Sequence, residues 1–383
     1  MLSVKRNGYF HFAQQIDGYH RSMTDGSNRR RRSTLADVAK AAGTSIPTVS
    51  KALRDATDVA PETRDRILRA AERVEYLPRA YGSTSRAPER RVIDVVMRDL
   101  SGTWPAAILK GVTSAAESVD IDVVVRELSQ DRDWIGHFIT RSSYGVILAS
   151  ANTTPAERSR FATAGIPVVA LDPISRPDPD LSSVGTMNWE GGRSAGDHLV
   201  GLGHRNVAVL DIGASYLFSR ARVDGFRSAI EDAGAALPTT HVRHAGFDRA
   251  AARDHARELL SLPQRPTAFF TCTEALAFGV YDAAAERRLV IPDDLSVVAF
   301  DDLPDAIGAN PPMTTVRQPF TEIGDAAVRM ILRLRDQADS GIQRQVQREE
   351  LATRLVVRGS TSTARTRIAT YGRVGSSTVS APS

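Results

Sequence analysis

From Val92 onward, short β-rich runs alternate with longer helical stretches, and this alternation restricts the possible folds more than any other feature of the chain. The runs fall at residues 92–97, 121–126, 145–149, 167–171, 207–210, 268–271 and 295–300. Between and after them lie helical stretches at 106–118, 155–164, 191–202, 219–233, 250–260, 275–287 and 322–335. Strands alternating with helices predict an α/β fold with parallel sheets covered on both faces, and there are enough units here for two such sheets. Ligands of open parallel sheets sit beyond the C-terminal ends of the strands, so residues just after each run are candidate binding positions.

A different pattern precedes this region. Residues 34–54, TLADVAKAAGTSIPTVSKALR, predict a helix-turn-helix. Leu35, Val38, Ala39 and Ala42 recur three and four apart, as one face of a helix requires. Thr34 is placed to cap that helix, and Asp37 supplies negative charge to its first turn. Gly43 stands where the helix must end, and Ser45 can cap a second helix with Pro47 in its first turn. That second helix carries Val49, Ala52 and Leu53 inward, and Thr48, Ser50, Lys51 and Arg54 outward. Short hydroxyl and long basic side chains side by side suit phosphates and base edges in a major groove. A third helix is expected after Ala60-Pro61-Glu62-Thr63, buried through Ile67, Leu68, Ala71 and Val74. The competing reading is a small three-helix bundle whose basic residues are merely solvated.

Charge favours the first reading. Residues 29–91 carry a net +7 within a chain whose total is +4, which leaves residues 92–383 at −4. The positive charge is concentrated on the candidate DNA reader, a distribution that suits nucleic acid. No apolar run approaches the roughly 20 residues of a membrane helix. The single cysteine, Cys272, excludes an intramolecular disulfide framework and fits a reducing, cytoplasmic setting. No metal-ligand cluster, phosphate loop or nucleophile–base set is visible, so neither cofactor, metal nor enzymatic activity is expected.

The segment from Thr34 to Pro78 resembles the DNA-binding headpiece of the LacI/GalR family of bacterial transcriptional regulators. The resemblance is carried by T-L-x-D-V-A-x-x-A-G-x-S, then T-V-S-K-x-L, V-x-P-E-T-R and Y-L-P. Further matches are GIPVV from Gly165, GLGHR at 201–205, SRARVDGF at 219–226, IPDDLSVVAFDD at 291–302, PMTTVRQP from Pro312 and LVVRGS at 355–360. The resemblance covers about residues 33–360 and implies a sensor of two α/β subdomains, similar to periplasmic sugar-binding proteins of type I.

On that basis residues 33–78 are expected to form the headpiece and 79–91 a hinge linker. Residues 92–360 would bind effector and dimerise, with one subdomain from 92–186 plus 318–347 and the other from 187–317 plus 348–360. Residues 1–32 are expected to be a disordered basic arm, and 361–383 a disordered tail. Met23 lies shortly before the run of arginines, so a start there would make 1–22 a spurious extension.

The resemblance implies DNA contacts from Thr34, Ser45, Ile46, Pro47, Thr48, Ser50, Lys51, Arg54, Arg64, Arg79 and Tyr81. Ile46, Pro47 and Lys51 align with specificity-determining positions; Lys51 suits a base edge such as guanine, and Ile46-Pro47 a thymine methyl. For the effector it implies Trp104, Asp172, Arg222, Phe247, Thr273 and Asp301. Arg222 offers a fixed fork of donors, Asp301 and Asp172 accept from hydroxyls, and the aromatics suit the apolar face of a sugar ring. Core packing is the competing reading for Trp104 and Phe247, and an interdomain ion pair for Arg222 and Asp301. His204, in a tight helix-to-strand turn, reads as structural.

Three departures from the family pattern stand out. Thr273-Glu274 occupies the place of a common Asn-Asp pair, Ala149 replaces a frequent polar residue, and Ser85 stands where a hinge helix usually carries its DNA-wedging Leu. Gly82 and Pro88 also lower helix propensity in this linker, so weaker operator bending is expected, or a linker ordered only on DNA with Tyr81 as its wedge. The implied function is a repressor of carbohydrate-utilisation genes that binds a palindromic operator as a dimer, is nucleoid-associated, and responds to a sugar-like effector. A corepressor-dependent regulator of a non-sugar metabolite, and a sugar-binding module without regulatory DNA contact, are the alternatives.

Overall fold

Thr34 fixes where the first helix begins. In the computed structural model, which describes residues 33–53, 59–74, 76, 91–128, 133–342 and 345–364, its backbone N–H donates to Asp37 Oδ2 at 2.8 Å. The Asp37 N–H returns a 3.4 Å bond to Thr34 Oγ1, completing a capping box. Helix α1 (Leu35–Ala42) then ends at Gly43, whose φ of 62° is left-handed and suits a residue without Cβ. Ser45 Oγ accepts the Thr48 N–H at 3.3 Å and so caps α2 (Ile46–Leu53). Helix α3 (Pro61–Arg73) has Pro at its first position, where a missing N–H costs nothing.

The three helices bury Val38, Ala39, Ala42, Val49, Ala52, Ile67, Ala70 and Ala71 in one core. Leu68, expected inside, is 43% exposed, and Ala70 takes the inward place. Ile67, Ala70, Ala71 and Val74 keep the helical spacing, whereas Leu68 lies about 100° round the helix from Ile67.

The chain divides into two compact units, Met1–Ala87 and Pro88–Ser383. In the second unit the β-rich runs become strands of two six-stranded sheets. The first sheet uses β1 (Val92–Met97), β2 (Asp122–Glu127), β3 (Gly145–Ala149), β4 (Val168–Leu171) and β5 (Ser182–Thr186). Helices α4 (Trp104–Glu117), α5 (Trp134–Arg141) and α6 (Pro155–Thr163) connect them. The second sheet uses β6 (Val207–Asp211), β7 (Val242–His244), β8 (Ala268–Thr271), β9 (Ser296–Asp301) and β10 (Thr314–Arg317). Its helices are α7 (Asn188–Gly201), α8 (Leu217–Asp232), α9 (Arg249–Leu259), α10 (Glu274–Glu286) and α11 (Pro304–Gly308). The chain then returns through α12 (Phe320–Asp339), β11 (Arg348–Leu351) and β12 (Arg354–Val356).

The strand orders are β11-β5-β4-β3-β1-β2 and β12-β10-β9-β8-β6-β7. Every pairing is parallel except β10 with β12. One piece sits differently from the expected division. Arg348–Leu351 pairs in parallel with β5 and so belongs to the first sheet, whereas the sequence places 348–360 as a block in the second subdomain. The division falls after Leu351, because β11 extends the first sheet's edge and β12 closes the second's. The chain therefore passes between the subdomains three times, at Thr186–Asn188, Arg317–Phe320 and Leu351–Arg354.

Each sheet is covered on both faces by apolar clusters, which is why its central strands are buried along almost their whole length. Helix α12 supplies Phe320, Ile323, Ala327 and Ile331 to the first sheet's core, crossing α4 where Gly111 lies against the Thr321 backbone.

Candidate functional site

In the first unit, α2 turns one face to its core and the other to solvent. Ser45, Ile46, Pro47 and Lys51 are exposed, and Thr48, Ser50 and Arg64 are half-exposed. Ile46 leaves 47% of its surface exposed on the first turn, an apolar spot beside hydroxyl and ammonium groups. That combination can meet both a thymine methyl and polar base edges. Thr34 is exposed, but its hydroxyl is engaged with Asp37 at 2.7 Å. Ser45 and Thr48 share a 2.7 Å hydroxyl bond. The expected contacts Arg54, Arg79 and Tyr81, and the linker position Ser85, lie outside the described residues.

In the second unit the strand ends converge on Arg222. This side chain stands on α8, is 1% exposed, and lies with its guanidinium carbon 3.7 Å from the Phe300 ring centroid. Its Nε donates to Asn188 Oδ1 at 2.7 Å, and its NH1 donates to the Cys272 carbonyl at 2.6 Å and to Asp301 Oδ1 at 3.4 Å. Asp301 also accepts from Gln318 Nε2 at 2.6 Å, while Gln318 Oε1 accepts from Thr186 Oγ1 at 2.9 Å. Thr186 ends β5 of the first sheet and Asp301 ends β9 of the second, so this chain of bonds joins the two subdomains at their strand ends.

Two glycines hold Arg222 in place. A Cβ on Gly192 of α7 would lie 1.9 Å from the Arg222 carbonyl oxygen, and one on Gly225 of α8 would lie 1.9 Å from that of Trp189. Helices α7 and α8 therefore touch backbone to backbone, which brings Asn188 and Arg222 within a hydrogen bond. The carboxylates reach the cleft through unusual backbone: φ is 47° at Asp172 and 115° at Asp301. Left-handed conformations cost non-glycine residues free energy and cluster at functional sites.

The electrostatics are unbalanced toward acid. Burial raises the Asp301 carboxyl to about 6, against the opposing pull of Arg222 and Gln318. Burial and the neighbouring Asp301 raise Glu274 to about 9, although its oxygens accept the Leu303 N–H at 3.0 and 3.2 Å. Burial also raises Asp172, with Arg222 pulling the other way. Thr273 Oγ1 is buried without a hydrogen-bond partner among the described residues. The Cys272 thiol, pushed up to about 12 by burial, stays protonated and unreactive.

The structure thus brings Arg222 and Asp301 together, with Asp172 and Thr273 beside them. Trp104 is half-buried against the first sheet's core, and Phe247 is 56% exposed, edge-on to Tyr216 at 5.5 Å. No described hydrogen bond or ring contact joins Trp104 to the Arg222 cluster, and Phe247 reaches it indirectly, through the rings of Tyr216 and Phe218, the latter 5.1 Å from the Arg222 guanidinium carbon. Asn188, Gln318, Thr186 and Phe300 were not anticipated. The rule of looking after each strand would have found Gln318 had the short Thr314–Arg317 run been read as a strand. His204 is buried with its ring nitrogens against Thr267, Ser296 and the Ser362 carbonyl, tying the 361–364 segment to the second sheet. Among the described residues no group of acidic, histidine or cysteine side chains could hold a metal ion, and no helix is long and apolar enough to cross a membrane.

Comparison with known proteins agrees with both halves of this description. Residues 34–79 match the family model for bacterial regulatory proteins of the lacI family, and residues 196–361 match that for a periplasmic binding protein-like domain. The HTH-type transcriptional regulator DegA of Bacillus subtilis is 28% identical over 338 residues, covering 86% of this chain and 98% of DegA. The lac repressor dimer bound to operator and the anti-inducer ONPF superposes with a TM-score of 0.71 at 25% identity, covering 87% of this chain and all of that one. The transcriptional regulator CelR in complex with cellobiose gives a TM-score of 0.64 at 26% identity, covering 86% of this chain and 100% of its own. With a helix-turn-helix unit ahead of two parallel-sheet subdomains, the chain belongs to the LacI/GalR family of DNA-binding transcriptional regulators.

Proposed function

We propose that this regulator is a repressor that binds a palindromic operator as a dimer, and that a small sugar-like effector in the interdomain cleft sets its affinity for DNA. The observation that carries the reading is the bond path Thr186–Gln318–Asp301–Arg222, which spans both subdomains where a ligand of parallel sheets would sit. A ligand that displaces or completes these bonds favours one subdomain arrangement over another, and it shifts DNA binding by its difference in affinity for the two. The lac repressor and CelR structures, with operator and with cellobiose, support the two halves of this proposal. Thr34, Ser45, Ile46, Pro47, Thr48, Ser50, Lys51 and Arg64 are proposed as the DNA-contacting set, with Lys51 reading a base. Asp172, Arg222, Thr273 and Asp301 are proposed to meet the effector, joined by Asn188 and Gln318. We place its action in the cytoplasm and assign it no covalent chemistry, a reading supported by its similarity to transcriptional regulators.

The test is fluorescence anisotropy of labelled DNA from the regulator's own promoter, with and without each of a panel of monosaccharides and disaccharides. A sugar that changes operator affinity at least about fivefold supports the reading. Tight operator binding that no sugar alters points instead to a non-sugar effector.

A further inference from the structure

We infer that the effector carries a positive charge, as a protonated amine on a hydroxylated skeleton of monosaccharide size, because the cleft holds a buried carboxylate, Asp172, that no hydrogen bond or close ion pair engages, at a cavity lined by two further carboxylates. The inference rests on the cleft being the effector site, as proposed above. Asp172 is only 7% exposed, yet no hydrogen bond or ion pair engages its carboxylate among the described residues, and it faces a cavity of about 290 Å³. The described lining of that cavity includes the carboxylates of Asp172, Glu190 and Glu350, and no lysine, arginine or histidine. Arg222 cannot serve Asp172 in full. Its Nε and NH1 are already given to Asn188, the Cys272 carbonyl and Asp301, and its single charge is shared with the Asp301 carboxylate.

A neutral sugar would offer Asp172 hydroxyl donors but no counter-charge for a carboxylate that is itself buried. An ammonium supplies the donors and the charge together, and charge-assisted bonds are roughly twice as strong as neutral ones. Trp189, Phe218 and Met187 line the same cavity and offer apolar surface to the ligand's skeleton, while the guanidinium carbons of Arg193 and Arg222 already lie 5.8 and 5.1 Å from the Trp189 and Phe218 ring centroids. The volume is at the small end for a ligand site, which fits a single hexose ring carrying one amine.

The test compares matched pairs on the full-length chain by calorimetric titration and thermal shift: glucosamine with glucose, galactosamine with galactose, and mannosamine with mannose. In at least one pair the amine should bind about tenfold or more tightly than its parent. Asp172→Asn, or Asp172→Ser should the first variant fold poorly, should bring that pair to within about twofold. Wild-type binding of neutral parents as tight as their amines overturns the charge inference and leaves the sugar reading standing. An amine preference that survives both variants also overturns it, since the charge would then be met elsewhere. No binding in either series overturns this inference alone, since the sugar reading is decided separately by the wider panel of monosaccharides and disaccharides in the operator assay.

Discussion

Replacing Gly192 by Ala isolates how the fold places Arg222 without touching any polar group of the cleft. The new Cβ would stand 1.9 Å from the Arg222 carbonyl oxygen and 2.7 Å from its carbonyl carbon. Comfortable contact is near about 3.5 Å, so α8 must retreat by more than about 1 Å. Overpacking of this kind costs about 1–3 kcal/mol, which for a unit of this size lowers the melting temperature by roughly 2–10 °C. The same retreat stretches the 2.7 Å bond between Arg222 and Asn188 beyond hydrogen-bond range. Losing one charge-assisted bond is worth about 1.5–3 kcal/mol, so effector affinity should fall about 10- to 100-fold. Gly201→Ala is the control, because it lies on the same helix and a Cβ added there would meet nothing within 4 Å. It should leave effector binding unchanged and stabilise slightly through higher helix propensity. The readouts are thermal unfolding and effector titration followed through operator anisotropy. Equal stability and equal response for Gly192→Ala and Gly201→Ala would refute the claim that backbone contact between α7 and α8 positions Arg222.

Further outcomes follow from the same geometry. Lys51→Ala should lose discrimination between operator and mismatched sites by about 1–3 kcal/mol per affected base pair, while effector binding measured by calorimetry stays unchanged. Arg222→Met should destabilise the second unit by about 3–5 kcal/mol in denaturant unfolding, because it leaves the buried Asp301 carboxylate without its cation. Glu274 holds its proton up to about pH 9, against 4.5 for an ordinary glutamate, and Asp301 to about 6 against 3.8. Both folded-state values are raised, so their contribution to stability is whole below about pH 4 and is lost as pH rises, through 6 for Asp301 and 9 for Glu274. Melting curves between pH 5 and 9 should therefore decline less steeply for Glu274→Gln than for wild type, and parallel curves would count against the buried, protonated carboxyl.

The helix-turn-helix was legible almost residue by residue, because short helices announce themselves through caps and spacing: Thr34, Asp37, Gly43, Ser45 and Pro61 each act where the pattern places them. The central strands were legible for the same local reason, as continuous runs of buried β-branched residues. Strands at the margins were not. Ser182–Thr186, Val242–His244 and Arg348–Leu351 are short and polar, and only pairing across the sheet makes them strands. Arg348–Leu351 joined the wrong subdomain in the sequence reading, because the position of a crossover is a property of tertiary packing.

The site divides similarly. Arg222 and Asp301 follow from motif and strand end, but Gln318 and Asn188 act through contacts between residues far apart in sequence. The solvent-facing ring of Phe247 and the core packing of Trp104 belong equally to global arrangement.

The most direct test of the account is the affinity of the full-length chain for DNA from its own promoter against a scrambled duplex, at one fixed salt concentration and with and without a cleft ligand. The account predicts binding at least about 10³-fold tighter to one palindromic site, and a change of about fivefold or more when the ligand is added to wild type but not to Arg222→Met. Equal affinity for both duplexes, or a ligand effect that persists without Arg222, would contradict it.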